Sequence, residues 1–158
     1  MRAQLQLDGY IAEELSYRFN RQLKQKPNTA FVSRVGVDFD VKENKEDKDQ
    51  FLIVQMIQVN RREEDFKKSR YQINMRLLGR FRFESGIKED VKNRMIFNNG
   101  PSILYGIARG IVAQLTGALG TEKFILPAVN FLAIAEKKAI AETKAIAAKK
   151  VKDRLKHK

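Results

Sequence analysis

The stretch Tyr71-Gln-Ile-Asn-Met-Arg-Leu-Leu-Gly-Arg-Phe-Arg-Phe83 alternates apolar and polar side chains along most of its length. Successive side chains of a β-strand point to opposite faces of the sheet, so this two-residue period predicts a strand with one buried face. The odd-numbered positions carry the apolar residues, whereas Arg76, Arg80 and Arg82 share the other face. Any fold that contains this strand has to cover its odd-numbered face.

Three earlier segments are patterned in a similar way. Leu5–Phe19 keeps its apolar residues at odd positions, including Leu5, Ile11 and Leu15, and only Glu13 interrupts them. Phe31–Val41 repeats the alternation. Phe51–Val59 is apolar at both odd and even positions, which predicts a central strand covered on both faces. The sequence therefore predicts four strands.

The connections indicate how these strands are joined. Lys42–Gln50 and Arg61–Ser69 are charged loops between the second, third and fourth strands. Sequential strands joined in this way favour an antiparallel meander. The linker Asn20–Ala30 contains Pro27 and is too long for a tight hairpin, so it is long enough to cross over the sheet.

Helix patterning takes over at Pro101. Proline is tolerated in the first turn of a helix, where its missing N–H costs nothing. The apolar residues that follow recur at the i, i+3, i+4 spacing of a buried helix face: Ile103, Leu104, Ile107, Ala108, Ile111, Val112 and Leu115. Gly117 and Gly120 can end the helix. The prediction is an α+β fold in which a four-stranded antiparallel meander sheet precedes a long apolar helix and a C-terminal helix.

The apolar helix carries a single charge, Arg109. In a membrane span this residue would lie near the bilayer centre at a cost of several kcal/mol, so we expect no span. Gly106 and Gly110 form a GxxxG pair, which is typical of close helix approach at a subunit contact or within a core. The apolar faces of this helix and of the fourth strand are large for one small domain to leave bare, which predicts a homo-oligomer, either a dimer or a tetramer.

The chain ends in a repetitive basic segment. Units that begin at Ala133, Ala139 and Ala145 each start with Ala-Ile-Ala, and alanine and lysine are strong helix formers. A six-residue step turns a helix by about 600°, so the isoleucines form no common stripe. Glu136–Lys158 holds nine Lys/Arg and three Asp/Glu, a surplus of +6 out of a net charge of +12. The predicted organisation is an α+β domain at 1–135 and a basic helix or tail at 136–158.

The composition argues against most catalytic and metal-binding chemistry. There is no cysteine and the only histidine is His157, so nucleophile–histidine pairs and zinc sites have few residues to use. The acids lie in polar stretches among lysines and arginines, and the glycines make no nucleotide-binding fingerprint. We expect neither an enzyme nor a cofactor. Because the N-terminus has no apolar leader, we expect a cytoplasmic location.

The middle of the chain resembles the signature region of the protein-export chaperone SecB. In that family a proline opens the long helix, an Ile-Leu-aromatic run follows, an Ala-Arg pair lies one turn on, and an Asn-Phe pair leads into the last helix. The matching residues are Pro101, Ile103, Leu104, Tyr105, Ala108, Arg109, Leu126, Pro127, Val129, Asn130 and Phe131. The strand order matches as well, so the resemblance covers roughly residues 4–140.

The resemblance implies a dimer-of-dimers chaperone that holds unfolded clients in apolar grooves. Apolar walls and an accessible strand edge suit a client's apolar side chains and unpaired backbone groups. The implied groove residues are Val37 and Phe39 on the second strand, with Phe31, Phe124, Leu126 and the loop Gly117–Ala128 as a cover. The implied oligomer-interface residues are Met75 and Leu77, together with Gly106, Arg109 and Gly110 on the helix.

The chain departs from the family in charge and at two motif positions. Gly106 replaces a usual proline, and Leu132 replaces a usual aspartate. The export chaperone is acidic and docks the translocation ATPase SecA, whereas this chain is strongly basic. We therefore do not expect the acidic docking mode to transfer, because a shared fold does not carry the export role with it.

Two other functions are compatible with the sequence. Arg70, Arg76, Arg80 and Arg82 share one parity and, with the lysine-rich tail, form a basic surface for nucleic acid. That parity lacks the interleaved aromatics that stack bases. The other alternative is a chaperone dedicated to one partner, such as an antitoxin, which the sequence does not separate from a general chaperone.

Overall fold

The computed structural model describes residues 3–23, 33–118 and 123–156. Its elements in chain order are β1 Leu5–Phe19, β2 Val35–Glu43, β3 Gln50–Val59, α1 Glu63–Lys67, β4 Tyr71–Phe83, α2 Glu89–Arg94, α3 Gly100–Gly117 and α4 Phe131–Lys156. The predicted α+β order is confirmed. The chain forms two compact units, Met1–Ala128 and Val129–Lys158. The boundary predicted at 135/136 falls inside α4.

The four strands make one antiparallel sheet in the order β1-β4-β3-β2. β2, β3 and β4 follow one another as a meander, with Val41 opposite Ile53 and Ile57 opposite Met75. β1 pairs with β4 rather than with β2. The linker after β1 therefore connects the two edges of the sheet, as its length allows.

One face of the sheet, here called the core face, carries the main apolar core. On β3 and β4 the odd-numbered side chains point to it, and they are buried without exception: Phe51, Ile53, Gln55, Ile57, Val59, Tyr71, Ile73, Met75, Leu77, Gly79, Phe81 and Phe83. The opposite face is less covered, since Leu52 of β3 is 38% exposed. β3 is central as predicted, and its second face is covered in part, since Val54 is 5% exposed there whereas Leu52 is not covered in this single chain.

β1 departs from simple alternation at two β-bulges. Its register against β4 shifts between Leu7 and Gly9 and again between Ala12 and Glu14. Each shift inserts one extra residue, Asp8 in the first and Glu13 in the second. Both acids pair with arginines of β4: Asp8 Oδ1 lies 2.8 Å from Arg82 Nη2, and Glu13 Oε2 lies 2.5 Å from Arg76 Nε.

The first bulge changes the face that Ile11 occupies. One extra residue exchanges the two faces of a strand, so Ile11 lies opposite Leu78 on the face away from the core and is 66% exposed. The second bulge restores the original parity, and Leu15 lies opposite Met75 on the core face. The prediction of one buried face is therefore wrong for Ile11, which lies on the other face, and for Leu15, which lies on the core face but is 43% exposed.

α3 packs on the core face through a narrow stripe. The buried residues follow the i, i+4 spacing: Gly100, Pro101, Leu104, Tyr105, Ala108, Val112 and Thr116. Leu104 lies directly against Gly79 of β4, where an added Cβ would come within 2.7 Å of Leu104 Cδ2. Gln55 Nε2 of β3 donates a hydrogen bond to the Pro101 carbonyl at 3.1 Å. These contacts fix the position of the helix on the sheet.

The helical run begins earlier than predicted. α2 and a π-helical turn at Met95–Asn99 lead directly into α3, so Pro101 lies within the run rather than at its start. Proline cannot donate to the carbonyl four residues before it, and the wider π spacing suits such a position. Ser102 Oγ donates to the Asn98 carbonyl at 2.6 Å and satisfies one of the carbonyls there.

The second unit consists mainly of α4. Asn130 caps this helix, because its Oδ1 accepts a hydrogen bond from the Ala133 N–H at 3.1 Å. α4 continues for 26 residues. Among the helices of the described ranges, none combines the length and the apolar character needed to cross a membrane.

Candidate functional site

β2 forms one edge of the sheet and is nine residues long. In an antiparallel pair, successive residues direct their N–H and C=O groups alternately toward and away from the neighbouring strand. The Arg34 carbonyl accepts from the Asn60 N–H at 2.8 Å, and the Asn44 N–H donates to the Gln50 carbonyl at 3.1 Å. Even-numbered residues therefore bond to β3, and the odd-numbered residues direct their backbone groups to the outer edge.

The same odd-numbered residues point their side chains to the core face. Val35, Val37 and Val41 are half-buried, and Phe39 is only 2% exposed. The Phe39 N–H donates to its neighbour Asp38 Oδ1 at 2.9 Å. β2 thus presents outward main-chain groups and apolar side chains at one set of positions, which are the two features that an added strand contacts.

Phe97 extends this apolar surface, and no pattern in the sequence predicted it. Its ring centroid lies 6.5 Å from that of Phe39, tilted by 53°, and the residue is 41% exposed. It lies in the π-helical turn, whose wider spacing changes the direction of each residue from that of an α-helix. The only sequence signal was an aromatic residue before the polar pair Asn98 and Asn99.

Phe124 lies at a different place from Phe39. Its ring centroid is 6.0 Å from that of Tyr71, and Tyr71 also contacts Tyr17 and Phe19 of β1. Phe39 lies in the row of the sheet that contains Leu77. Leu77 and Tyr71 are six residues apart, or about 20 Å along a strand. A bound segment would have to be extended to contact both aromatic sites.

The segment that carries Phe124 and Leu126 is held on α3 at two points. The Phe124 N–H donates to Thr116 Oγ1 at 3.0 Å, and the Tyr105 hydroxyl donates to the Pro127 carbonyl at 2.7 Å. Burial raises the pKa of the Tyr105 phenol, so it stays protonated and able to donate at neutral pH. Leu126 is fully buried. It therefore contributes to the core and offers no surface in this structure.

The remaining groove and interface candidates differ in their exposure. Phe31 lies outside the described residues. Met75 and Leu77 are 2% and 0% exposed on the core face, so in the single chain they present no surface to a second copy. Gly106, Arg109 and Gly110 lie exposed on the outer side of α3, and a Cβ at either glycine would meet no atom within 4 Å. The role of all these residues at an interface stays a prediction.

Some of the arginines predicted to form a basic surface already contact other groups of the chain. Arg76 and Arg82 pair with the bulge acids. Arg70 precedes β4, where its guanidinium carbon is 5.6 Å from the centroid of the Phe19 ring and Nη1 donates to the Leu23 carbonyl at 3.0 Å. These contacts weaken the case for the sheet as a phosphate-binding surface. Within the described ranges, no cluster of His, Cys, Asp and Glu is able to hold a metal ion.

Comparison with known proteins gives one family. A family model described as preprotein translocase subunit SecB matches residues 7–142. No curated protein matches the chain. A similar solved structure is the Mycobacterium tuberculosis Rv1957 SecB-like chaperone in complex with a ChAD peptide from the Rv1956 HigA1 antitoxin, with a TM-score of 0.60, 14% identity, and coverage of 80% of this chain and 91% of that chain. A Streptococcus agalactiae protein of unknown function gives a TM-score of 0.43 at 14% identity, with coverage of 78% and 97%.

Proposed function

The chain belongs to the SecB family, and on this premise we propose that it is a molecular chaperone that binds extended polypeptide segments along the edge of β2. The observation that carries the proposal is the coincidence of outward backbone groups and apolar side chains at the odd-numbered residues of that strand. An extended client pairs its main chain with β2 and places alternate side chains on the apolar surface. Phe97 supplies an exposed aromatic wall for those side chains.

The two parts of the client contact have different roles. Main-chain hydrogen bonds form with any sequence, so they give affinity without selectivity. Apolar contacts add about 25 cal/mol for each Å² of apolar surface removed from water. A client that is already folded offers neither an unpaired strand nor its core side chains. The site therefore selects unfolded or partner-free segments.

A chaperone dedicated to one partner is the narrower form of this proposal. Rv1957 is described as a SecB-like chaperone in complex with a peptide from an antitoxin, and this chain shares its fold. The net charge of +12 favours a client with acidic segments. Capture from the native lysate separates the two forms: one partner in a fixed molar ratio supports dedication, and a broad mixture supports a general chaperone.

Aggregation assays test the client site. We expect Phe97→Asp to weaken suppression of aggregation of a reduced, unfolding client about tenfold in the chaperone concentration required, because a charge in the groove has to be desolvated when a client binds. Phe97 is preferable to Phe39 as the test position. Phe39 is buried, so an aspartate there would disturb the fold itself.

Leu52→Asp is the matched control for this test. Leu52 has nearly the same exposure as Phe97, 38% against 41%, but it lies on the sheet face away from the core face. We expect this variant to suppress aggregation as the unchanged protein does. Equal loss in both variants, or loss in neither, would remove the support for a client groove beside Phe97.

The outer side of α3 is the proposed contact between copies of the chain. Gly106 and Gly110 leave the helix backbone open to close approach by a second helix. An added Cβ at either position meets no atom of the described residues within 4 Å, and leucine in place of glycine stabilises a helix by up to about 1 kcal/mol at each position. We expect Gly106→Leu combined with Gly110→Leu to give a folded monomer of 18.2 kDa by light scattering, where the unchanged protein gives a multiple of this mass.

Gly9→Leu serves as the control for the helix variant. A Cβ at Gly9 also meets no atom within 4 Å, but this residue lies on β1. Its assembly state should equal that of the unchanged protein. An unchanged protein that already has the monomer mass, or a double leucine variant that keeps the oligomer, would contradict the proposed contact.

A further inference from the structure

A cleft of about 400 Å³ opens on the sheet face opposite the core face, beside the loop that joins β2 to β3. Its lining includes one row of side chains that crosses three strands, in which Lys42 is paired with Leu52, and Leu52 with Arg80. Neighbouring strands are about 4.8 Å apart, so the two cations flank the leucine at a separation of about 10 Å. Lys45 of the loop adds a third cation. This site, here called the Leu52 cleft, is separate from the client site on the core face.

The three cations of the Leu52 cleft have no acidic partner among the described residues. No carboxylate oxygen of those residues lies within 4 Å of their side-chain nitrogens. Two acids from neighbouring segments already have other partners, since Asp8 pairs with Arg82 and Asp49 pairs with Lys92. Glu43 is the one acid in the lining, so three cations and one acid leave a surplus of +2. The cleft therefore attracts an anionic group from outside the described part of the chain.

The floor of the cleft is apolar. Leu52 lies between the cations and is 38% exposed. The apolar surface continues in the next row of the same face, which contains Val54, Leu78 and Ile11. That row is two residues further along β3, or about 7 Å away, and Ile11 in it is 66% exposed. The matching ligand therefore carries an anionic group beside one apolar group, and a second apolar group about 7 Å from the first.

The composition of this face disfavours three other anionic partners. The even-numbered residues of β2, β3 and β4 include no aromatic side chain, so the bases of a nucleic acid would have nothing to stack on. A second copy in a two-fold contact would place the same uncompensated cations near one another. A membrane surface is reached by apolar side chains that project outward, whereas Leu52 forms the floor between longer lysine and arginine side chains.

The end of a polypeptide chain combines the groups that the cleft requires. Its α-carboxylate is bonded to the Cα that carries the last side chain, and in an extended segment the side chain two positions earlier points the same way, about 7 Å distant. Lysine and arginine donate strong charge-assisted hydrogen bonds to carboxylates. We propose that the Leu52 cleft binds the C-terminal end of a partner polypeptide, with its carboxylate at Lys42, Lys45 and Arg80 and its last apolar side chain on Leu52.

Two fluorescein-labelled peptides test the proposal by fluorescence anisotropy with the full-length protein. Both have the sequence Gly-Ser-Gly-Leu-Ser-Leu, but one ends in a free carboxylate and the other in an amide. We expect the carboxylate peptide to bind about tenfold more tightly, because the amide cannot accept charge-assisted hydrogen bonds as a carboxylate does. Its affinity should fall as the salt concentration rises, since the cations of the cleft are exposed.

Two double variants of equal charge separate the cleft from the overall charge of the protein. Lys42→Gln with Arg80→Gln removes two cations of the cleft, and Lys48→Gln with Arg94→Gln removes two cations that do not line it. All four residues are exposed, so both variants should keep the fold. The cleft variant should bind the carboxylate peptide about tenfold more weakly, and the control variant should stay within about twofold of the unchanged protein.

Two single variants separate this site from the client site. Leu52→Asp should lose the carboxylate peptide, because it places an acid on the floor of the cleft, and it should still suppress client aggregation. Phe97→Asp should bind the carboxylate peptide normally while its suppression of aggregation is weakened. Failure of the client proposal would therefore leave the result for the Leu52 cleft readable.

Four results would overturn the proposal. No binding of the carboxylate peptide, or equal binding of the two peptides, would mean that the cleft does not recognise a chain end. Equal losses in the two double variants would mean that net charge alone governs binding. Loss in Phe97→Asp without loss in Leu52→Asp would place the peptide in the client site. Stronger competition by octanoate than by the unlabelled peptide would assign the cleft to small apolar acids.

Discussion

Replacing Ile73 with alanine is expected to lower the free energy of unfolding by about 2–5 kcal/mol, whereas the same replacement at Ile11 should lower it by less than about 1 kcal/mol. Ile73 is completely buried on the core face of β4, so its truncation leaves a cavity. Ile11 is 66% exposed beyond the first bulge of β1, so little apolar burial is lost there. Both residues are strand isoleucines at odd positions, which makes the pair a matched comparison.

Urea unfolding followed by circular dichroism measures this difference. The three proteins should be compared at one protein concentration, because oligomer formation makes apparent stability depend on concentration. Similar losses at Ile73 and Ile11 would mean that Ile11 is buried and that β1 keeps a single parity. A small loss at Ile73 would contradict the core face itself.

Replacing Val37 with proline is expected to weaken client binding by about tenfold or more while leaving the fold intact. Val37 directs its N–H to the outer edge of β2, so proline there removes a donor that β3 does not use. Proline is tolerated on edge strands in this orientation. The missing donor and the bulk of the ring both act against a strand added at that edge. Binding of a fluorescent unfolded client gives the affinity, and urea unfolding gives the stability.

The neighbouring residue provides the control for the proline test. Asp38 directs its N–H toward β3, so Asp38→Pro removes a bond of the sheet and should destabilise the protein by more than about 1 kcal/mol. If Val37→Pro binds clients normally, strand addition at β2 is not the binding mode. The result for Phe97→Asp would then show whether the apolar surface binds clients without strand pairing to β2.

The sequence predicted the elements well because their periodicities are local. Alternation in β4 and the i, i+3, i+4 spacing of α3 each depend on which face is buried, and one face dominates in both. The bulges of β1 were not predicted, because the odd positions remain apolar on either side of them. Their only marks are Asp8 and Glu13, and the reason for these acids appears only when Arg82 and Arg76 are placed opposite them.

The site was less predictable, because it depends on contacts between distant segments. Val37 and Phe39 are placed together on β2, yet the burial of Phe39 follows from elements far along the chain. Phe97 belongs to a turn whose π geometry has no periodic signal in the sequence. Phe124 was expected to cover the groove, but it contacts Tyr71 instead. Loop positions of this kind are set by tertiary packing and not by the residues of the loop.

The alternating direction of the backbone groups of β2 also limits which features of a client the strand can recognise. Outward backbone groups recur at every second residue, and the apolar side chains belong to the same residues. A client strand can therefore pair with β2 with either its odd-numbered or its even-numbered side chains on the apolar surface. In each arrangement, half of its side chains do not contact that surface. Such a site selects clients by the alternation of their apolar side chains rather than by the identity of particular residues. The polypeptides that bind with the highest affinity are those whose apolar residues alternate. This strand therefore favours segments that form strands in their own folded proteins.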